Sequence, residues 1–169
     1  MISALVLVLA SFAGMELVSY AVHRWVMHGA GMGWHRSHHA PAAGRFERND
    51  LYPLCFSAVG VTLFALATVG PRVGALFWVG VGVTAYGATY MVVHDVCIHR
   101  RLPLPLPSGR YVEWVRDAHR VHHVTGGEPY GMLVPLVPGS AARRAARTAP
   151  AVLDRAARRE STRSARSRL

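Results

Sequence analysis

The chain has 169 residues, of which 51% are hydrophobic, and it carries a net charge of +10. That length fits one domain, and so many apolar residues beside so much charge exclude an ordinary soluble domain unless the two are separated along the chain. They are separated, because all nineteen basic residues are arginine and nine of them follow Ser140. The presence of only two cysteines excludes a disulfide-rich scaffold.

Three apolar stretches are long enough to cross a hydrocarbon core of roughly 30 Å. The first precedes His23, and the others occupy residues 51–70 and 73–93, which predicts a tight helical hairpin around Pro71 and Arg72. A cleaved signal peptide is the alternative for the first stretch, but residues 1–13 contain no basic residue and no clear cleavage site. The sequence thus predicts an all-α integral membrane bundle of about three transmembrane helices, within a domain that spans residues 1–139.

Arginine is distributed unequally among the segments between these stretches. Residues 23–50 contain four arginines and the chain after residue 94 contains fourteen, whereas the hairpin tip contains Arg72 alone. The positive-inside rule then places residues 23–50 and the C-terminal region in the cytoplasm, with the N-terminus and the hairpin tip outside. We therefore expect a protein of the cytoplasmic membrane with every histidine on the cytoplasmic side.

The histidines form four clusters, HRWVMH, HRSHH, HDVCIH and HRVHH, and no histidine lies outside them. An isolated histidine near a membrane boundary is usually an interfacial or hydrogen-bonding residue, but that role does not explain four clusters. Neutral imidazole is the commonest nitrogen ligand for transition metals, and ten of them suit two metal ions. We predict that all ten are metal ligands and catalytic residues: His23, His28, His35, His38, His39, His94, His99, His119, His122 and His123.

The spacing within the clusters follows two patterns, H-x4-H and H-x2-H-H, in the same order in each half of the chain. On a helix, His35 and His39 share a face and His38 lies beside it, so each H-x2-H-H can bind one metal or bridge two. The H-x4-H spacing corresponds to about 140° of rotation on an α-helix. Those pairs require different metals, a local widening of the helix, or a ligand just beyond the helix end.

The chain also contains longer motifs, HRWVMHG, GWHRSHHAP, FERNDLY, VVHDVCIHRRLPLP and AHRVHH, in this order. In order and spacing they resemble the motifs of the bacterial β-carotene hydroxylases, within the fatty acid hydroxylase superfamily of membrane di-iron oxygenases. The resemblance covers residues 15–125 and implies a helical membrane fold with two non-haem iron ions bound by the histidines. It further implies molecular oxygen as co-substrate, a ferredoxin-type electron donor, and hydroxylation of β-ionone rings at C3, which converts β-carotene through β-cryptoxanthin to zeaxanthin.

The sequence departs from that family pattern after His123. It reads VTGGEPYGMLVPLVPG where the family resemblance leads us to expect a stretch such as CVSFGFLYAPP. We expect this segment to help close the substrate cleft, so the departure bears on which carotenoid is preferred, including the acceptance of 4-keto rings. We do not expect it to bear on the metal site.

Without the resemblance, the residues indicate a less specific function. Imidazole binds iron, zinc or copper, but hydroxylation of an unreactive C–H bond needs a redox metal and oxygen. The chain has no Gly-rich nucleotide fingerprint and no cysteine cluster, so electrons must come from another protein. The alternatives are a fatty acid or sterol hydroxylase or desaturase of the same superfamily, and a non-enzymatic membrane protein that binds metal or haem.

Two carboxylates are candidates for orienting metal ligands. Glu16 lies within the first apolar stretch, two helical turns before His23, and can orient it directly or through Tyr20. Pairing of Glu16 with a basic group is the alternative. Asp95, next to His94, can hold that imidazole in its metal-binding tautomer.

Two polar regions of the chain have simpler expected roles. Asn49 and Asp50 precede the second apolar stretch and are predicted to cap its helix. The tail 140–169 carries a net charge of +7, from nine arginines less Asp154 and Glu160. Beside a membrane it favours attraction to anionic lipid, about 1 kcal/mol per residue, over nucleic acid, which we do not expect as a partner. We expect a disordered tail or a loosely amphipathic helix without catalytic residues.

Overall fold

The computed structural model describes residues 2–40, 46–69, 73–102, 104, 109–141 and 143, and the regular secondary structure of these residues is entirely helical. This confirms the predicted all-α class. The α-helices are α1 (Ile2–Ala21), α2 (Met32–His35), α3 (Leu51–Val69), α4 (Val73–Met91) and α5 (Arg110–Thr125). A 3₁₀ turn (Arg48–Asp50) leads into α3, and π-helical segments follow α1 (Val22–Ala30) and α4 (Val92–Ile98).

Three continuous helices are long and apolar enough to cross a membrane, as the sequence predicted. They span Ile2–Ala30, Arg48–Val69 and Gly74–Ile98. Large apolar side chains remain exposed along them, including Leu9, Leu54 and Val61, and a lipid environment explains this exposure because hydrocarbon replaces water around them. The hairpin tip at Pro71 and Arg72 and the tail after Arg143 lie outside the described residues.

Helix α4 is the centre of the bundle, because both α1 and α3 pack against it. Gly82 lies where α4 approaches α1, and a methyl group added there would overlap the Ser11 hydroxyl and lie 2.5 Å from the Val8 carbonyl oxygen. Small residues permit such close approach between membrane helices, where dispersion contacts stabilise packing. The absence of a side chain at Gly82 therefore determines how closely α1 and α4 approach each other.

The first π-helical segment contains the H-x4-H motif of His23 and His28, and the second contains His94 and ends one residue before His99. Their backbone hydrogen bonds skip one residue more than those of an α-helix: Gly31 N donates to Val26 O over 2.7 Å, and His99 N donates to His94 O over 2.9 Å. This local widening is one of the three solutions that the sequence left open, and π-helical turns are frequent at functional sites. In the second motif it is combined with another of the three solutions, since His99 is the first residue beyond Ile98.

A small apolar core lies next to the histidines. It consists of Tyr86, Val93, Val115, Met132 and Leu133, with Phe12 and Met15 packed against it. Helix α5 lies against the π-helical segment that follows α4. After α5 the chain turns at Gly126, which has a φ of 65°, and residues 126–135, here called the strap, return towards α1. The core thus fixes α5 and the strap to the end of the membrane bundle.

Candidate metal centre

All ten predicted histidines lie together at the end of the bundle where α1 and α4 become π-helical. Ring centroids are 4.5 Å apart for His23 and His122, and 4.3 Å apart for His38 and His99. Five of the histidines come from residues 23–39 and five from residues 94–123. The site is therefore built from two distant parts of the chain.

The imidazoles divide into two groups in which four nitrogen atoms lie within 4.8 Å of one another. His39 joins the first group because its Nε2 lies 3.1 Å from that of His35, and His94 joins the second because its Nε2 lies 3.1 Å from that of His38. The first cluster is then His23, His28, His35, His39 and His122. The second cluster is His38, His94, His99, His119 and His123.

The middle histidine of each H-x2-H-H motif lies in the cluster opposite to that of its neighbours. On α5, His119 and His123 share one face and belong to the second cluster, whereas His122 is rotated about 60° from His119 and belongs to the first. In the HRSHH motif, His38 similarly joins the second cluster while His35 joins the first. Each cluster therefore needs both halves of the chain.

Burial favours the neutral, metal-binding form of the imidazoles that lie outside the membrane-length helices. Desolvation lowers the pKa of His35 and of His39 to about 4, and that of His99 to about 3. Desolvation also lowers the pKa of His119 and His122 well below the usual range, and neighbouring imidazoles lower it further. Proton competition for the ring nitrogens is therefore weak at neutral pH.

In the first cluster, three Nδ1 atoms are held by carbonyl oxygens. His23 contacts Tyr130 O at 2.9 Å, His35 contacts Asn49 Oδ1 at 2.7 Å, and His122 contacts Gly127 O at 2.6 Å. A carbonyl oxygen only accepts, so each Nδ1 carries the proton and donates it. Each Nε2 is left with a free lone pair that faces the cluster, which is the tautomer that metal binding requires. Tyr130 and Gly127 lie in the segment that departs from the family pattern, so the expectation that this segment does not bear on the metal site is wrong: its backbone holds two of the histidines.

In the second cluster, the corresponding partners are carboxylates. Asp95 Oδ1 lies 2.8 Å from His94 Nδ1, the contact that the sequence predicts, and Glu47 Oε2 lies 3.4 Å from His38 Nδ1. Arg101 donates to both oxygens of Asp50 over 2.7 Å and lies 3.5 Å from Asp95. A network of charged groups thus surrounds this cluster.

Asn49 has a different role from the predicted cap. Glu47 is the N-cap of the turn before α3, where its side chain and that of Asp50 form a reciprocal capping box. Only the Asp50 part of the capping prediction is therefore correct. Asn49 is instead buried, and its side chain is bound to His35. The FERNDLY motif contains both residues, but the sequence gives no sign that the amide faces a histidine.

Glu16 contacts the strap, and the predicted direct contact with His23 is wrong. Its carboxylate accepts hydrogen bonds from the backbone N–H groups of Met132, Leu133 and Val134 at 2.9–3.1 Å. It also accepts one from the Tyr86 hydroxyl at 2.7 Å.

The predicted route through Tyr20 is also wrong, because the Tyr20 hydroxyl donates to Glu128 over 2.7 Å. Glu16 and His23 do share a helix face, but the strap returns to that face from more than 100 residues away and supplies the partners of both. The link between them is therefore indirect, through the backbone that carries Tyr130 O.

The donor set of the site fits two transition-metal ions. In each cluster the Nε2 atoms of the imidazoles lie close together. The described partners of the Nδ1 atoms, such as Asn49 and Asp95, lie on the opposite side of the rings. Such nitrogen-rich sets suit iron, zinc or copper rather than magnesium or calcium, which prefer oxygen.

Comparison with known proteins gives the family. The sequence profile described as fatty acid hydroxylase matches residues 8–137. A β-carotene hydroxylase of Pantoea ananas is 42% identical over 123 residues, which are 72% of this chain and 69% of the relative. A β-carotene hydroxylase of Paracoccus sp. (strain N81106 / MBIC 01143) is 40% identical over 126 residues, which are 73% of this chain and 76% of the relative.

A plant protein is also similar, the chloroplastic β-carotene 3-hydroxylase of an Oncidium hybrid cultivar. It is 39% identical over 133 residues, which are 76% of this chain and 44% of the relative. No solved structure matches the chain. The profile covers all ten histidines, and the chain belongs to the fatty acid hydroxylase family.

Proposed function

We propose that this chain hydroxylates C3 of the β-ionone rings of carotenoids, with two iron ions and molecular oxygen. The observation that carries the proposal is the pair of histidine clusters at one end of three membrane-length helices. Relatives at about 40% identity that are named β-carotene hydroxylases support the substrate class. The expected products are β-cryptoxanthin and then zeaxanthin.

The chemistry of the reaction favours iron over the other metals that imidazole binds. Hydroxylation of an unreactive C–H bond requires electrons and oxygen, and zinc has no redox chemistry. Two iron ions, when bound, would activate molecular oxygen. The residues that would bind them are the ten histidines, five in each cluster.

The groups around the histidines orient each imidazole and determine which ring nitrogen carries the proton. The Nδ1–H groups of the histidines donate hydrogen bonds to Asn49, to Asp95 and to the backbone of the strap. The opposite ring nitrogen, Nε2, therefore stays available to bind a metal. Burial excludes water from His122 completely and from His35 nearly so. The deeper side of the site is thus shielded from water, whereas His28, His39, His99 and His123 are half-buried.

The electrons must come from a second protein. The chain has no Gly-rich nucleotide motif, and its two cysteines, Cys55 and Cys97, are free and cannot bind an iron–sulfur cluster. A ferredoxin-type donor supplies single electrons and fits this requirement. We place its docking side in the cytoplasm, with the histidines and the C-terminus.

The membrane position of the site suits an apolar substrate. The clusters adjoin the ends of membrane-length helices, so a carotenoid polyene can remain in lipid while one ring reaches the metals. Hydroxylation of that ring leaves the other ring free to enter later. We therefore expect β-cryptoxanthin to accumulate before zeaxanthin.

Pigment analysis tests this function. The gene is expressed in a bacterial host that accumulates β-carotene and contains a ferredoxin and its reductase, and the pigments are separated by chromatography. We expect β-cryptoxanthin and zeaxanthin with the wild-type chain and only β-carotene with the His35→Ala variant at equal membrane abundance. Unchanged β-carotene with the wild-type chain would contradict the proposal.

A fatty acid or sterol is the second candidate substrate, because the matching family profile is described as fatty acid hydroxylase. Lipid extracts of the same cells distinguish the two. Hydroxylated fatty acids or sterols without hydroxylated carotenoid would establish this alternative. If neither product forms although the purified protein contains metal, a non-enzymatic metal-binding role would replace both.

A further inference from the structure

The two clusters differ in the charge of the groups that hold their imidazoles. The described Nδ1 partners in the first cluster are neutral, namely two backbone carbonyls and the amide oxygen of Asn49. Those in the second cluster are the carboxylates of Asp95 and Glu47. Each cluster contains five histidines, so the clusters do not differ in the number of ligands. They differ in the groups that contact the Nδ1 atoms of those ligands.

The groups around the second cluster add up to a net negative charge. Three carboxylates, Glu47, Asp50 and Asp95, lie here with two guanidiniums: Arg101, and Arg116, which donates to Cys97 O over 3.1 Å. The sum of these charges is −1. Near the first cluster the strap contributes Glu128, which is paired with Arg24 at 2.7 Å, for a sum of zero. A divalent cation is therefore attracted more strongly to the second cluster.

The hydrogen bonds act in the same direction as the net charge. A carboxylate that accepts the Nδ1 proton pushes electron density into the imidazole and makes Nε2 a stronger base, whereas an amide or peptide carbonyl does so less. Removal of one such partner typically costs about 10- to 100-fold in metal affinity.

We propose that the two metal sites are inequivalent and that the second cluster binds the first metal ion, with an affinity roughly 10- to 100-fold higher than that of the first cluster. Asp95 and Glu47 are the positioning residues that create the difference. The inference rests on the two-metal centre of the proposed function.

Titration with Co²⁺ measures the two affinities without relying on activity. The full-length protein, purified in detergent and freed of metal with a chelator, is titrated while the visible absorption of bound cobalt is recorded. We expect two resolved binding steps. His99→Ala should remove the tighter step and His28→Ala the weaker one, because these ligands belong to different clusters.

Charge variants test the cause of the difference. Asp95→Asn should weaken the tighter step about 10- to 100-fold and leave the weaker step unchanged. Asn49→Asp places a carboxylate next to Nδ1 of His35 and should increase the metal affinity of the weaker step. Misfolding would lower this affinity, so an increase cannot be explained by a loss of structure. Asp117→Asn removes an equal charge at an exposed position of α5 and should change neither step.

Several outcomes would overturn the inference. Two indistinguishable steps in the wild-type chain would do so, as would loss of the tighter step in His28→Ala rather than in His99→Ala. A failure of Asn49→Asp to affect the weaker step would refute the carboxylate as the cause. Absence of metal binding would defeat the proposed function as well, whereas equal steps together with normal pigment products would defeat this inference alone.

Discussion

Glu16 shows how a carboxylate within a membrane-length helix can stabilise a site without binding the metal. Its oxygens accept hydrogen bonds from three consecutive backbone N–H groups of the strap, Met132 to Val134. The same strap supplies the carbonyl oxygens that hold His23 and His122. Glu16 is therefore linked to the first cluster through the strap, although it contacts none of the imidazoles.

The Glu16→Gln variant tests this role. The neutral amide retains one acceptor but loses the charge-assisted hydrogen bonds, so the free energy of unfolding should fall by about 1–3 kcal/mol. Thermal or denaturant unfolding in detergent measures this loss. Glu113→Gln, at an exposed position of α5, is the matched control and should have almost no effect. Equal stability of the two variants would contradict the role given to Glu16.

At this scale the sequence predicts the ligands better than their partners. The ten histidines stand out because they occur in four clusters, and Asp95 is identifiable because it adjoins His94. Asn49 contacts a residue fourteen positions away, and Tyr130 contacts one 107 positions away. Such contacts depend on tertiary structure, and no local sequence pattern predicts them.

The π-helical segments are the elements that turn the histidine spacing into a site. An H-x4-H pair diverges by about 140° on an α-helix, and a wider turn brings the pair closer to one face. The sequence limits the possibilities to three but does not choose among them, because the choice depends on where the other histidines lie. Here two of the three possibilities are combined at His94 and His99.

Gly82 provides a test of the packing between α1 and α4. Gly82→Ala should lower the free energy of unfolding by about 1–3 kcal/mol, because the added methyl group meets the Val8 carbonyl and forces two helices apart. Gly87→Ala, on the same helix with open space around it, carries the same gain in helix propensity without the clash. Unfolding curves of both variants in detergent measure the difference in their free energies of unfolding. A stability of Gly82→Ala equal to that of Gly87→Ala would refute the close packing.

For the whole molecule, the exchange of His38 and His122 between clusters is the main organising feature. The chain repeats one order twice: a membrane-length helix, a π-helical segment and an H-x2-H-H motif, which begins at the last residue of α2 in the first half and lies within α5 in the second. Each half supplies four histidines to its own cluster and one to the other cluster. The two clusters can therefore form only when both halves of the chain have packed together.

The sequence predicts the membrane-length helices but not the exchange of His38 and His122 between the clusters. The three membrane-length helices follow from apolar runs, and these are confirmed. On α5 the exchange of His122 follows from a rotation of about 60° between positions three apart on a helix, and its consequence appears only when the other half is in place. His38 lies in the turn after α2, where no helical spacing predicts its direction. The domain boundary at residue 139 and the character of the Arg-rich tail remain predictions.

Membrane orientation is a further prediction for the whole molecule. Because arginine is concentrated in residues 23–50 and after residue 94, a reporter fused after Leu169 should report the cytoplasm and one inserted at Pro71 the exterior. Paired reporters, one active only outside the membrane and one only inside, measure this. An external C-terminus would refute the placement of the histidines on the cytoplasmic side.

We propose that the ten histidines form a two-metal centre in which each half of the chain completes the site of the other. Elemental analysis of the purified, iron-loaded protein tests it most directly, with far-ultraviolet circular dichroism to confirm that the variants are folded. We predict two iron ions per wild-type chain and a fall towards one in both His38→Ala and His122→Ala, with membrane insertion unchanged. One iron ion or none in the wild-type chain, or two retained in both variants, would contradict the account.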